Sequence, residues 1–257
     1  ILYNTMVEDF IVEDNTIKGV VINKEERIYG DKIIVTTGGK SHPTTGSDGA
    51  MYSILGKYGH TIKPLYPALI PLVIKEDFIK NLQGVSMKEV VLKTKIKKKK
   101  IEIFGDIIFT HFGISGPGVL KLSSYINKEL ENGEIEIALD FLESKSKEEL
   151  SDIIRSNPNK DILNNLKGIL PQNFIKEILN LLELAETKPR DLKKEDERKL
   201  IDYIKEMKLT VKETLTIKAA MVTSGGVEVK EINSSTMESK IIKNLFFGGE
   251  VVDVDAE

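Results

Sequence analysis

The sequence predicts an α/β domain interrupted by an inserted β domain, which itself carries a helical insert. Three observations carry this. An apolar, β-branched run near the start, Ile33 to Thr37, breaks at Gly38-Gly39 and leads towards a helical pattern. A second such run, Asn244 to Phe247, ends in Gly248-Gly249 near the other end of the chain. Between them the periodicity is first alternating and then helical. The boundaries that follow are residues 1–64 with 218–257 for the interrupted domain, 65–143 with 209–217 for the β-rich insert, and 144–208 for the helices.

Residues 1–37 read as a small meander. Ile1-Leu-Tyr reads as the interior of an element. Phe10-Ile-Val is followed by a turn at Glu13-Asp-Asn15, then Ile17 to Ile22, a second turn at Lys24-Glu-Glu26, and Arg27-Ile-Tyr-Gly30. Asp, Asn and Gly supply the turn conformations at the breaks. After Gly38-Gly39, where the backbone can take positive φ and approach another group closely, a loop of small and hydroxyl residues runs to Gly49. Ala50 to Tyr58 then has helical apolar spacing. His60, after Gly59, is placed to meet the last carbonyls of that helix. Pro64, Pro67 and Pro71 predict an extended linker or edge segment, since proline fixes φ and removes a donor.

From Leu72 to Leu142 the pattern is mostly β. Glu89 to Ile96 and Ile101 to Phe104 flank Lys97-Lys-Lys-Lys100, which reads as a solvated hairpin tip rather than a polyanion patch, because the flanks alternate. Gly113-Ile-Ser-Gly-Pro-Gly118 resembles a hydrolase nucleophile elbow only superficially, because Pro117 stands where that motif needs a glycine. The stretch reads instead as a helix start, with Ser115 as N-cap and Val119, Leu120, Leu122 and Ile126 as the buried face. Residues 144–208 take helical period. Ser144 and Ser146 are candidate caps, Phe174 to Leu184 is the clearest amphipathic stretch, and Leu200, Ile201, Ile204 and Met207 form the apolar face of the last helix. After Leu209 the β pattern returns. Ala219 to Val227 reads as a strand broken at Gly225-Gly226, and Val251 onward as a strand-like run.

Composition excludes several chemistries. With no cysteine among 257 residues, disulfides, thiolate metal sites and a cysteine nucleophile are ruled out. The three histidines, His42, His60 and His111, lack metal-ligand spacing, so no metal is expected. A net charge of −3 provides no general attraction to nucleic acid or membrane. No targeting segment is evident, which makes the cytoplasm the expected compartment. A start at Ile1 and an abrupt end at Glu257 suggest an internal fragment of a longer protein.

Four groups of residues are candidates for function. Asp48, between Gly46 and Gly49, is either a turn residue or a polar contact to a ligand. Glu250 and Asp253 either cap a solvated strand end or accept hydrogen bonds from hydroxyls of a sugar or polyol. His111, in Phe109-Thr-His-Phe-Gly113, is either a packed or capping histidine or an acid/base group. The loop before the helix at Pro117 can hold an anionic group.

A set of segments in order along the whole chain then points to a family: Val35 to Gly49, Gly59-His-Thr61, Pro67 to Pro71, Phe109 to Pro117, Thr223-Ser-Gly-Gly-Val227, Thr236 to Lys240 and Phe246 to Asp255. Together they resemble the bacterial NAD(P)/FAD-dependent oxidoreductases of the YhiN/BaiN, HI0933-like type, which include aminoacetone oxidase-like proteins. The resemblance implies a flavoprotein of the two-dinucleotide-binding-domain kind, with a partial Rossmann-like FAD domain, a β-barrel-like inserted domain and a helical domain. By that likeness Thr37, Gly38 and Gly39 lie against FAD, and Gly46, Asp48 and Gly49 near the flavin. Gly249 and Glu250 meet the ribityl chain, and Asp253 lies in the next turn. It implies NAD(P)H as a reductant, a small organic substrate (an amine, a ketone or an unsaturated hydrophobic ring), and His111 as a proton donor or acceptor. No nucleic-acid or membrane partner is expected, and the oligomeric state is left open.

Two departures qualify the resemblance. The family opens with a G-x-G-x-x-G loop that has no match here, and it continues past Asp253, so the chain alone is expected to bind FAD weakly and to be inactive. The alternatives are a flavin-dependent protein that modifies transfer RNA, with Lys97 to Lys100 on phosphates, and a non-catalytic interaction module. The spatial expectation is that the two glycine-ended strands lie side by side and line one cofactor groove.

Overall fold

The computed structural model describes residues 1–23 and 25–254. Its first strands are β1 (Val7–Glu13), β2 (Thr16–Ile22), β3 (Glu26–Tyr29) and β4 (Ile33–Val35), followed by α1 (Ala50–Lys57). Next come β5 (Ile62–Ala68), β6 (Leu72–Ile74), β7 (Ser86–Ile96), β8 (Lys99–Phe109), β9 (Gly113–Ser115), α2 (Pro117–Ile126) and β10 (Ile135–Asp140). Four helices follow, α3 (Lys147–Arg155), α4 (Ile162–Asn165), α5 (Gln172–Leu181) and α6 (Lys194–Lys205). The last strands are β11 (Met207–Thr214), β12 (Val222–Val227) and β13 (Leu245–Phe247). The turn expected at Lys24 and the final residues of the run ending at Glu257, Asp255 of the family-like segment among them, lie outside the described residues. The chain forms two compact units, Ile1–Ala68 with Thr216–Glu257, and Leu69–Leu215.

In the first unit, β1, β2 and β3 form an antiparallel meander. Asp14 and Asn15 both take positive φ, 47° and 56°, which is the geometry a two-residue hairpin turn needs and which Asp and Asn tolerate. β4 and β13 pair in parallel, Ile33 with Leu245 and Val35 with Phe247. β5 pairs antiparallel with β12. Pro64 and Pro67 fit in β5 because it has one strand neighbour in this ribbon, so missing donors on its other side cost nothing. α1 turns Met51, Tyr52 and Leu55 into a core shared with Phe10, Ile17, Val35, Val227, Leu245, Phe247 and Val251. Leu55 is fully buried, and trimming it to alanine costs about 2–5 kcal/mol.

Three expectations need correction here. Ile1 to Met6 belong to no strand or helix; the first strand begins at Val7. Val251 and Val252 form a turn, with Val252 bridged to Val227, rather than a strand, because the Asp253 amide turns back to the Val227 carbonyl (3.0 Å). His60 does reach the end of α1, but through its backbone amide to Leu55; its ring is buried against Ser239.

The second unit is a closed six-stranded barrel, in the order β10-β11-β6-β9-β8-β7. Closure leaves the barrel without a bare strand edge. Its longest ladder, β7 with β8, pairs Ile96 with Lys99, so Lys97 and Lys98 form the hairpin tip. Ser115 does not cap a helix; it ends β9, paired with Ile108. Gly116 precedes the helix instead, at φ 100°, a conformation that disfavours any residue with a side chain. α2 then packs so closely on the barrel that a Cβ on Gly105 would stand 2.8 Å from the Gly118 Cα.

α3 starts with a reciprocal cap: the Glu149 amide donates to Ser146 Oγ, and the Ser146 amide donates to the Glu149 carboxylate. Met207 is not on the last helix. α6 ends at Lys205, and Met207 begins β11 with its side chain buried. Barrel and helices share one hydrophobic core, in which Phe109, Phe141 and Phe174 meet. At the end of β10 the Lys205 ammonium, only 10% exposed, pairs with Asp140 at 2.9 Å and donates to the Leu142 carbonyl at 2.6 Å.

Candidate cofactor site

β4 and β13 run in parallel and stop together, so both glycine pairs leave the same carboxyl edge, where α/β sheets place ligands. The Gly248 amide donates to the Val35 carbonyl at 3.0 Å and ties the second turn to the first strand. Contact is closest at Gly39. A Cβ there would stand 2.5 Å from Thr223 Oγ1 and 2.7 Å from Glu250 Oε1. Thr223, buried on β12, reaches both turns: its hydroxyl accepts from the Lys40 amide at 2.8 Å, and its own amide donates to Glu250 Oε1 at 2.5 Å.

Tyr52 of α1 donates its hydroxyl to the Glu250 carbonyl at 3.3 Å. Burial pushes its phenol up to about 12, and the nearby charges of Glu250 and Asp253 add to the rise. Asp253 lies one turn on and is half-buried. Its amide approaches the bare face of Gly226, whose φ of 133° and lack of a side chain admit the Val251–Asp253 backbone.

The loop from Thr37 to Gly49 closes over itself. Ser47 packs on the Gly38 face and the Lys40 stem on the Gly49 face, so a Cβ at either position would meet this chain's own side chains. Asp48 acts as a turn residue, its Oδ1 accepting the Ala50 amide at 2.9 Å, and it also faces a cleft. That cleft has a volume of about 690 Å³ and is lined by Asn4, Thr5, Thr37, Gly46, Asp48 and Met51 among others. Gly46 and Gly249 have nothing within 4 Å of their bare faces. Of the expected residues, the structure therefore gathers Gly38, Gly39, Gly249 and Glu250 at one sheet edge, and Thr37, Gly46 and Asp48 on one cleft. His111 belongs to the barrel unit, exposed after β8, with its ring edge-on to Phe112 at 5.0 Å.

These residues fit a cofactor such as FAD. The Ser41 and Ser47 hydroxyls of the loop are buried without a hydrogen-bond partner among the described residues, although buried polar atoms are normally paired. Two glycine faces stand bare, and a carboxylate is held in place beside them. The cleft volume is in the range of small-molecule sites. A larger groove, about 810 Å³, lies on the barrel unit; half of its lining residues are lysine or glutamate, without glycine turns of this kind. Among the described residues no group of three or more His, Asp and Glu is placed to hold a metal ion, and no helix is long and apolar enough to cross a membrane.

Sequence reasoning missed Thr223 as a site residue. The signal was present in Thr223-Ser-Gly-Gly226, but a threonine one position into a strand shows nothing of what its hydroxyl will meet.

Comparison with known proteins gives matches along most of the chain. Residues 66–222 match the HI0933-like protein barrel and H2TH domain. Residues 1–58 match glucose inhibited division protein A. The 3-dehydro-bile acid delta(4,6)-reductase of Clostridium scindens is 31% identical over 245 residues, 93% of this chain and 60% of that protein. The ribosomal RNA dihydrouridine synthase of Escherichia coli is 29% identical over 87% of this chain and 55% of its own length. That of Haemophilus influenzae is 31% identical over 86% and 54%. The chain thus spans somewhat more than half the length of these relatives.

Proposed function

The chain belongs to the family built on the HI0933-like barrel and H2TH domain, and from that premise we propose that the protein is an FAD-dependent oxidoreductase. The observation that carries the reading is the packing of Gly39 against Thr223 and Glu250, which joins the two glycine turns beside the cleft. Thr37, Gly38 and Gly39 would lie along the cofactor, with Gly46 and Asp48 on the cleft side. Glu250 keeps a carboxylate oxygen for a hydroxyl hydrogen bond after Oε1 is taken by the Thr223 amide. The unpaired Ser41 and Ser47 hydroxyls would find partners on the cofactor. When bound, FAD would supply the hydride chemistry, with NAD(P)H as the proposed reductant, while Thr37, Gly38, Gly39 and Glu250 would bind and orient it.

The names of the relatives support reduction of an unsaturated ring, a 3-dehydro-bile acid in one and uridine of ribosomal RNA in the others. A small unsaturated ring substrate is our first reading, with His111 as proton donor. A second reading, an RNA substrate, is favoured by Lys93, Lys95, Lys98 and Lys100, exposed lysines without an ion-pair partner among the described residues; three of them line the barrel groove.

The test is flavin absorbance of the purified protein, followed by anaerobic reduction with NADH and NADPH. Stoichiometric FAD bleached by either nicotinamide is expected of the whole protein, with weak uptake by this chain alone, and a whole protein that takes up no FAD would end the reading. Unchanged turnover in His111→Ala with flavin bound would remove that residue's role. A salt-dependent RNA gel shift separates the second reading from the first.

A further inference from the structure

We propose that Thr223 is a positioning residue that makes the two glycine turns one binding element, so that neither can hold a cofactor properly without the other. The inference rests on the flavoprotein reading but concerns a residue outside the turns themselves. Thr223 is bonded to both. Its Oγ1 accepts the Lys40 amide of the first turn, and its amide donates to the Glu250 carboxylate of the second. Gly39 lies in the angle between these bonds, with no room for a methyl group. Thr223 is itself 5% exposed and is held on β12, whose register opposite β5 places it across from Pro67. Proline has no amide to compete for a partner there.

The two bonds have different consequences. The bond from the Thr223 amide to Glu250 fixes one carboxylate oxygen and so decides which oxygen is left for a ligand. The bond from Lys40 to the hydroxyl fixes the direction in which the chain leaves Gly38-Gly39. Without it the Lys40 amide would have to find water or rotate, and the turn would lose the position that Glu250 matches. A ligand lying across both turns would then have to order the first of them at its own cost.

Thr223→Val removes the hydroxyl and keeps the shape and the amide; Thr223→Ser keeps the hydroxyl. The first measurement uses the cofactor-free protein. Exchange of the Lys40 amide should be about tenfold faster in Thr223→Val and within about twofold of the parent in Thr223→Ser, the change expected on losing one hydrogen bond. The second is an FAD titration, in which Kd should rise about tenfold in Thr223→Val and stay within about twofold in Thr223→Ser. Unchanged Lys40 exchange in Thr223→Val overturns the proposal, as does faster exchange with an unchanged FAD Kd. With the titration run in the whole protein, a parent that takes up no FAD overturns the cofactor reading itself, whereas FAD bound equally by parent and Thr223→Val overturns only the role of Thr223. If Thr223→Val does not fold, Glu250→Gln carries the test. It weakens the same clasp from the other side and should speed exchange of the Thr223 amide; unchanged exchange overturns the proposal.

Discussion

Replacing Gly39 with alanine tests the packing on which the site depends. The added methyl would lie 2.5 Å from Thr223 Oγ1, so about 0.9 Å of movement is needed to reach the 3.4 Å at which ordinary contact begins. The obstacles do not yield easily: Thr223 is buried on a strand and Glu250 is held by an amide. Overpacking costs about 1–3 kcal/mol. Losing the Lys40 bond adds about 1 kcal/mol, and loosening the charged bond to Glu250 about 1.5–3 kcal/mol. If the hydroxyl bond alone breaks, the loss is about 2–4 kcal/mol, which lowers the melting temperature by roughly 4–16 °C at 2–4 °C per kcal/mol.

Gly30→Ala is the control, because its nearest neighbour would lie 3.7 Å away and its φ is outside the left-handed region. There the substitution should be neutral or stabilise by up to about 1 kcal/mol. Calorimetry of both variants, with FAD titration of each, makes the comparison. Gly39→Ala melting within about a degree of Gly30→Ala, with equal FAD affinity, would refute the close packing of the two turns.

Three further outcomes follow from the same structure. Tyr52→Phe should cost about 0.5–1.5 kcal/mol by urea unfolding and should remove, from an ultraviolet pH titration, a phenol that burial pushes up to about 12; a titration unchanged by the substitution would contradict the burial of Tyr52. Burial holds the His60 imidazole below its ordinary 6.5, so the folded state binds fewer protons than the unfolded one. Its contribution is complete above about pH 6.5 and is lost as pH falls below that value. The urea midpoint should therefore decline from pH 7.5 to 5 less steeply in His60→Gln, and an equal slope would count against it. Lys205→Met leaves the Asp140 carboxylate buried without its cation and should cost about 3–5 kcal/mol; a loss under about 1 kcal/mol would mean that water reaches the pair.

Periodicity revealed most of the architecture. Alternation in Glu89–Ile96 and Glu134–Asp140 is what a half-buried barrel wall requires, and the stripe from Phe174 is what a helix on that wall requires. Closure of the barrel was not legible in this way, because strand order depends on which edges meet and not on any one strand. The start of α2 differs from the expectation for a local reason. Ser115 is a good cap by residue type, but Gly116 alone can take the φ of 100° that ends β9 and begins the helix. Glycine pairs marked where the chain could bend sharply. Nothing in Gly38-Gly39 or Gly248-Gly249 specifies a parallel partner, and the position of Thr223 between them depends on the β5–β12 ribbon. Resemblance to a family supplied the order of the motifs, while the contacts among Gly39, Thr223 and Glu250 emerged only in three dimensions.

Amide hydrogen exchange with and without FAD tests the central claim most directly. We expect slower exchange at Gly38–Lys40 and at Gly249–Val251, rising together along one saturation curve as FAD is added. Protection confined to one of the two turns, or appearing only in the barrel unit, would contradict a cofactor site built from both.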